Sequence, residues 1–288
     1  MGCPALKYKV IFSLRDQYPV KDLCKALGVS RSGYYAWLQR RERQAVDKDQ
    51  IVADLIKKCQ KATKFTYGYR RVTLWLRREA GLISNRKAVL RIMNKFGLCA
   101  RIRRRRSYRR FRTAAHKYAN LLSRNFSAEK PNQKWVTDIT QFPTREGVLY
   151  ASVIKDLYDG SIVSFATGTD QTVQLVLRTV KEAVSSIQAS KGLVLHSDQG
   201  TQYSSGSYYK ELKRYGIIPS MSRAGNPIDN AAIESFFSAM KTEWVRDTSK
   251  LGRDEVAQLV SEYINFYNNE RIRLCCGCTP MEKRQKSA

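Results

Sequence analysis

The sequence predicts the α/β fold class, with a mixed sheet flanked by helices and preceded by a small all-α region. Two features of the pattern support this prediction: β-rich runs and helical periodicities follow each other from residue 131 onward, and the preceding part contains two short helix–turn–helix patterns. The 288 residues suffice for one sizeable core with smaller satellites.

Net charge is distributed unevenly along the chain. Of the total of +27, residues 1–120 carry +24 and residues 121–288 carry +3. A charge excess of this size opposes compaction until a polyanion neutralises it. The pattern therefore indicates a polyanion-binding part joined to a folded core. The alternative is a basic surface that is merely solvated.

Other functional classes are disfavoured by composition. We expect no membrane association, because no apolar run is long enough to span a bilayer and no signal-peptide pattern begins the sequence. The seven cysteines are odd in number and scattered, which argues against a disulfide framework and is typical of a reducing cytoplasm. Those at 275, 276 and 278 lack a second Cys or His pair nearby, so we expect free thiols rather than a zinc site.

Residues 1–60 are expected to form a helical region. The turn at 28–30 and a possible cap at Ser30 indicate two short helices in a helix–turn–helix arrangement. Its DNA-facing residues would be Arg31, Ser32 and Tyr34. A plain helical hairpin is the alternative.

Residues 61–112 contain a second pattern of this kind, followed by an Arg-rich run. Gly81 ends one predicted helix, Ser84 is expected to cap the next, and Arg86 and Lys87 near its start are predicted to contact DNA. Residues 101–112 contain eight arginines, whose guanidinium groups suit phosphate. We expect non-specific, salt-sensitive DNA contacts from Arg103, Arg104, Arg105, Arg106, Arg109 and Arg110. A solvated charge run is the alternative.

A linker at 113–130 precedes the predicted core at 131–250. Three β-rich runs joined by tight turns predict an antiparallel meander. They cover residues 135–142, 148–158 and 161–169. The rest of the core should be a helix at 172–189, a strand at 193–197, a helix at 206–215 and a short strand at 216–219. Residues 251–288 should form a helix at 253–269 and a basic tail.

Three carboxylates are candidates for chemistry. Asp138 lies inside a β-rich run, where an unpaired charge is costly, and Asp198 follows a short apolar run. Glu234 lies just off the apolar stripe of a predicted helix, and Lys241 follows about 10 Å further along the same edge. Three carboxylates brought together would offset their cost by holding divalent metal ions.

Several motifs occur together in a characteristic order. They are WVTDIT at 135–140, HSDQGTQY at 196–203, SMSRAGN at 220–226, DNAAIESFF at 229–237, and YNNER at 267–271 with TP at 279–280. Between Asp198 and Glu234 lie 35 residues. In these features the sequence resembles the second-reading-frame product (OrfB) of the IS-three family of insertion sequences, whose catalytic core belongs to the retroviral-integrase superfamily. The resemblance runs from about residue 131 to residue 280.

The resemblance implies a ribonuclease-H-like core that cleaves DNA strands and transfers a 3′-hydroxyl. It implies that Asp138, Asp198 and Glu234 are the catalytic residues and the ligands of two Mg²⁺ ions, for which Mn²⁺ would substitute. Contacts to DNA are then expected from Lys241, Arg223 and Asn226. Partners would be element-end and target DNA, further copies of the chain, and an upstream OrfA product, all in the bacterial cytoplasm.

Other readings and neighbouring residues complete the expectations. Arg273 stands where the family usually has His, and Cys276 replaces an expected Leu. A DNA-binding repressor from a decayed element and a ribonuclease-H-like nuclease are the alternative functions. We expect Asp156 to be structural, Asp229 to cap the helix of Glu234, and His196 to be a packed strand residue.

Overall fold

The computed structural model describes residues 4–42, 48–101, 118–186, 192–223 and 226–286. The six arginines expected to contact phosphate between residues 103 and 110 lie outside this part. Among the described residues, no helix is both long enough and apolar enough to cross a membrane.

The first three helices pack together at the amino-terminal side. They are α1 (Pro4–Leu14), α2 (Val20–Ala26) and α3 (Arg31–Glu42). Ser30 caps α3 as expected, because its hydroxyl accepts a hydrogen bond from the amide of Gly33 at 3.1 Å. The expectation that Tyr34 faces DNA is wrong. Its ring is 1% exposed and stacks on Trp37, so it belongs to the small core of these helices.

The second helical unit consists of α4 (Lys48–Ala62), α5 (Tyr69–Glu79) and α6 (Arg86–Lys95). Helix α4 continues across residue 60, where the sequence suggested a division. Gly81 lies after α5 with φ of +62°, a conformation that glycine adopts without strain. Asn85, rather than the predicted Ser84, caps α6, because its side chain accepts a hydrogen bond from the amide of Lys87 at 2.8 Å.

The core contains the predicted mixed sheet, in the order β3-β2-β1-β4-β5. The strands are β1 (Lys134–Thr144), β2 (Gly147–Asp156), β3 (Ile162–Gly168), β4 (Val194–Ser197) and β5 (Ile218–Met221). The first three form the predicted antiparallel meander, and β4 and β5 run parallel to β1. The strand that carries Asp138 is therefore central.

Helices cover both faces of the sheet. They are α7 (Val173–Ser185), α8 (Gly206–Arg214), α9 (Ala231–Glu243) and α10 (Arg253–Asn269). Because side chains alternate along a strand, Trp135 of β1 packs in the cluster with α7 and α8, whereas Val136 packs in the cluster with α9 and α10. The second helical unit contributes to that latter cluster, which is continuous from Ile56 to Tyr263.

The carboxyl-terminal tail folds back onto the β2–β3 turn. Helix α11 (Pro280–Gln285) is capped by the hydroxyl of Thr279, the residue before it. The Arg284 guanidinium contacts two fully buried carboxylates, Asp159 at 2.9 Å and Asp156 at 3.3 Å. Arg273, the residue in place of the family's usual His, donates a hydrogen bond to the carbonyl oxygen of Asp159. The tail is thus part of the core.

Candidate active site

Asp138 and Asp198 are brought together by the pairing of β1 with β4. The parallel register aligns Val136 with His196. Each aspartate lies two residues beyond one member of that pair. Asp198 comes directly after the last residue of β4, at the edge of the sheet where that strand ends. The charge of Asp198 raises the pKa of Asp138, so the two carboxylates lie near each other there.

Glu234 reaches this edge on the first turn of α9. The helix docks through an apolar stripe that includes Ile233 and Phe236, while Glu234 itself remains exposed. Two hydrogen bonds attach the start of α9 to the sheet. Asn230 donates to the carbonyl oxygen of Thr137 at 3.5 Å, and Lys155 donates to that of Ala232 at 3.0 Å.

The three acids affect one another's protonation. Burial, followed by the charge of Asp198 and, more weakly, that of Glu234, raises the pKa of Asp138 well above its ordinary value. The amide of Ile139 opposes this shift by donating to the Asp138 carboxylate at 2.7 Å. Burial also raises the pKa of Asp198 and of Glu234. The site therefore brings negative charges together where Asp138 and Asp198 are partly buried and Glu234 is exposed.

This donor set has the chemistry of a site for a hard cation. Carboxylate oxygens are the ligands that Mg²⁺ prefers, and a dication would relieve the repulsion between Asp138 and Asp198. Within the described residues, no three His, Cys, Asp or Glu side chains are yet close enough together to hold one ion. Glu234 has no hydrogen-bond partner there, so its side chain is not held away from the aspartates.

Lys241 follows Glu234 by two turns of α9, as expected. It is exposed, and its ammonium lies 5.0 Å from the centroid of the Phe142 ring. Its charge lowers the pKa of Asp138, against the effect of burial. The lysine therefore contributes positive charge at the margin of the carboxylate cluster.

Asp229 does not cap α9, contrary to expectation. Its fully buried carboxylate accepts hydrogen bonds from the Arg223 side chain at 2.9 Å and from Arg124 Nε at 3.0 Å. The Arg223 guanidinium holds the pKa of Asp229 far below its usual range, in spite of burial. Asn226, the other residue of this loop expected at DNA, accepts a hydrogen bond from Arg124 at 3.0 Å. An acid–arginine cluster therefore orders the chain that leads into α9.

His196 is a packed strand residue, as expected. Its ring is fully buried, with Nδ1 2.8 Å from the Ser220 hydroxyl and Nε2 3.0 Å from the Ser222 hydroxyl. Burial lowers its pKa from 6.5 to about 4. Both ring nitrogens are engaged, so the residue is not arranged as a general base.

The outer face of α6 presents Arg86 and Lys87 to solvent. Arg91, on the same helix, is held instead by Asp49 through two contacts of 2.7 Å. Arg91 and Lys95 lower the pKa of Asp49 to about 2. The two residues predicted to contact DNA thus remain accessible, whereas Arg91 is already paired with Asp49.

Sequence reasoning missed a buried charge cluster beyond the end of α9. Glu243, the last residue of that helix, pairs with Arg271 and lies near Arg71 of α5. The only signal was the YNNER motif, whose final residue is Arg271. The partners of Arg271 are remote from it in sequence, so the sequence alone could not assign them. The cysteines at 275, 276 and 278 form no disulfide with the described residues.

Comparison with known families identifies the parts of the chain. The integrase core domain matches residues 128–227 and again residues 234–287. An HTH-like domain matches residues 47–106, which include the second helical unit. The HTH-like domain therefore precedes a core that contains Asp138, Asp198 and Glu234.

Individual proteins similar to this chain extend over almost its whole length. InsK of insertion sequence element IS150 from Escherichia coli K12 is 38% identical and covers 97% of this chain and 98% of its own. Transposase InsF of insertion sequence IS3A from the same strain is 33% identical over 94% and 96%. Among solved structures, the HTLV-2 integrase catalytic core domain in complex with magnesium is 17% identical, with a TM-score of 0.44, over 54% of this chain and 98% of that one. The chain belongs to the family of insertion-sequence transposases that includes InsK and InsF.

Proposed function

We propose that this transposase cleaves DNA strands at the ends of its insertion element and joins the freed 3′-hydroxyl to target DNA, using two Mg²⁺ ions. The observation that carries the proposal is the adjacency of Asp138 and Asp198 at one sheet edge, with Glu234 close enough to raise the pKa of Asp138. Structural carboxylates are normally paired with cations, as Asp229 is with Arg223. Those of the candidate site repel one another, which favours a functional role.

Each acid has a proposed role. Asp138 on the central strand, Asp198 and Glu234 would together hold the ions as their ligands. Two bound metal ions would activate an attacking water or 3′-hydroxyl and stabilise the departing oxygen. Mn²⁺ should substitute, because it also accepts carboxylate ligands. The chain's own contribution is to hold the carboxylates on β1, directly after β4 and on the first turn of α9.

A covalent mechanism has less support. His196 is buried between two serine hydroxyls, both of which lie on the neighbouring β5 or just after it. Neither serine is an activated nucleophile open to a substrate, because the pKa of the imidazole is lowered and its ring is 0% exposed. Direct attack by water or a 3′-hydroxyl at the carboxylate cluster is the simpler route.

DNA would be held by the basic surfaces around the site. Lys241 lies at the margin of the carboxylates, and Arg86 and Lys87 are exposed on α6. Arg223 and Asn226 are partly committed to the Asp229 cluster, so we assign them weaker contacts with DNA. The arginines between residues 103 and 110 would add phosphate contacts. We further propose that the protein acts as a homo-oligomer in the bacterial cytoplasm, with or fused to an OrfA product.

Joining of oligonucleotides that carry the element's terminal repeats tests the proposal. Wild-type protein with Mg²⁺ should join them to a supercoiled plasmid, and Asp198→Ala should abolish joining while DNA binding persists. Asp170→Asn is a suitable control, because that aspartate is exposed and lies outside the carboxylate cluster. Undiminished joining by Asp198→Ala would refute the assigned site.

A further inference from the structure

The turn after α10 joins three parts of the molecule. The Tyr67 hydroxyl, from the segment between α4 and α5, donates to the carbonyl oxygen of Glu270 at 3.1 Å and accepts from the amide of Ile272 at 2.9 Å. Arg71 of α5 donates to the carbonyl oxygen of Ile272 at 3.1 Å. The second helical unit is therefore bonded to the YNNER turn by directed contacts, in addition to apolar packing.

The same turn binds the end of the helix that carries Glu234. Arg271 donates to both carboxylate oxygens of Glu243, at 2.7 and 2.5 Å, and the Tyr263 hydroxyl donates to the same carboxylate at 2.9 Å. Arg71 completes the cluster at 3.7 Å from Glu243. The Arg271 and Glu243 side chains are only 10% and 12% exposed. A bidentate pair in such surroundings fixes the orientation of both groups.

Helix α9 is consequently held at both ends. Its start is bonded to the sheet through Asn230 and Lys155, and its end is bonded through Glu243. Directly after it, the centroid of the Trp244 ring lies 3.6 Å from the ammonium of Lys64, in the segment between α4 and α5. Glu234 lies between these anchors, roughly 13 Å before Glu243 along the helix axis.

A groove connects the same elements on the surface. It has a volume of about 620 Å³ and is lined by Thr66 and Arg101 on the side of the second helical unit. Its other wall is α9, from Glu234 to Glu243. The position of the second helical unit and the position of Glu234 are thus linked through one helix.

We propose that Tyr67, Arg71 and the Arg271–Glu243 pair are positioning residues, which align α9 so that Glu234 meets the two aspartates. The proposal rests on the proposed function, because it takes Glu234 to be a metal ligand. It makes the second helical unit a structural part of the catalytic centre as well as a DNA-binding element. It also assigns a role to the YNNER motif, whose arginine contacts neither the aspartates nor Glu234 among the described residues.

Arg71→Met tests this role, because it removes the contacts of Arg71 with Ile272 and Glu243 and leaves the Arg271–Glu243 pair intact. Arg70→Met is the matched control: it removes the same charge from the adjacent, exposed position of α5. We expect Arg71→Met to bind DNA normally but to lower kcat for joining about tenfold, with KM for DNA unchanged. Arg71→Lys should recover part of the loss, and Tyr67→Phe should reproduce it.

Mn²⁺ affinity, measured by electron paramagnetic resonance, gives a readout that does not depend on joining. Arg71→Met should weaken Mn²⁺ binding several-fold relative to Arg70→Met, because Glu234 is misaligned. Equal Mn²⁺ affinity and equal kcat in the two variants would overturn the inference. The inference would also be overturned if Arg71→Met had the same kcat as wild type at assay temperatures below the unfolding midpoint of the variant. If wild-type protein joins no DNA but Arg71→Met still weakens Mn²⁺ binding, the proposed function fails while the positioning role stands.

Discussion

Asp198 lies beside Asp138 across two parallel strands, and its charge adds to the effect of burial in raising the pKa of Asp138. A carboxyl whose folded-state pKa is raised stabilises the fold when protonated. That stabilisation is lost as the pH rises from its ordinary value of 3.8 through the folded-state pKa. At neutral pH without metal, the ionised Asp138 carboxylate should therefore lower the free energy of unfolding.

We accordingly expect Asp138→Asn to raise the unfolding midpoint at pH 7 by a few degrees while it abolishes joining. The gain should shrink as the pH falls toward 4, because the wild-type carboxyl is then protonated. Thermal unfolding at several pH values measures both effects. Mg²⁺ should stabilise wild-type protein but not the variant. A variant less stable than wild type at pH 7 would show that the Ile139 amide and Lys241 outweigh burial and the charge of Asp198.

His196 should make stability depend on pH in the opposite direction. Its pKa falls from 6.5 to about 4 on folding, so the unfolded chain binds more protons between these values. Stability is thus lost as the pH falls through this window, by about 3 kcal/mol if the histidine acts alone. Urea unfolding gives the free energy of unfolding of wild type and of His196→Gln at each pH, and the two values should converge toward pH 4. A constant difference between them across that window would exclude His196 as the cause.

Local pattern was sufficient to predict most of the core. Alternation and helical periodicity depend on neighbouring residues, which is why the meander and the helix at 253–269 are confirmed. The adjacency of Asp138 and Asp198 followed only from the family resemblance, because the β1–β4 pairing joins strands about 60 residues apart. The structure supplies that pairing directly.

Expectations for single side chains failed where the partner is distant. Asp229 was expected to cap the next helix, yet it binds Arg223, six residues before it, and Arg124, which lies 105 residues away. Tyr34 was expected at DNA because of its place in a helix–turn–helix pattern, but α1 covers it through Tyr8. The hydrogen bond of Tyr67 to Glu270 spans 203 residues. Sequence spacing carries no information about such contacts.

The tail provides a third prediction. Arg284 neutralises the buried carboxylates of Asp156 and Asp159, so Arg284→Met should leave both without this cation. Removing one member of a buried ion pair costs about 3–5 kcal/mol, because the remaining charge stays desolvated. Urea unfolding should show a loss of this size, whereas Lys286→Met, at an exposed position one residue after α11, should be close to neutral. A loss below about 1 kcal/mol would mean that solvent replaces the arginine.

The α6 surface provides the last prediction, which concerns DNA affinity and its salt dependence. Arg86 and Lys87 are exposed, so Arg86→Ala or Lys87→Ala should each remove about one phosphate contact and lower the slope of log K against log salt by about 1. Arg91→Ala should change the slope less, because Asp49 already binds that guanidinium through two contacts of 2.7 Å. Fluorescence anisotropy with a labelled duplex at several salt concentrations measures the three slopes. Equal slopes in Arg91→Ala and Lys87→Ala would show that the Asp49 pair opens when DNA binds, whereas no change in any variant would place the DNA contact elsewhere than on α6.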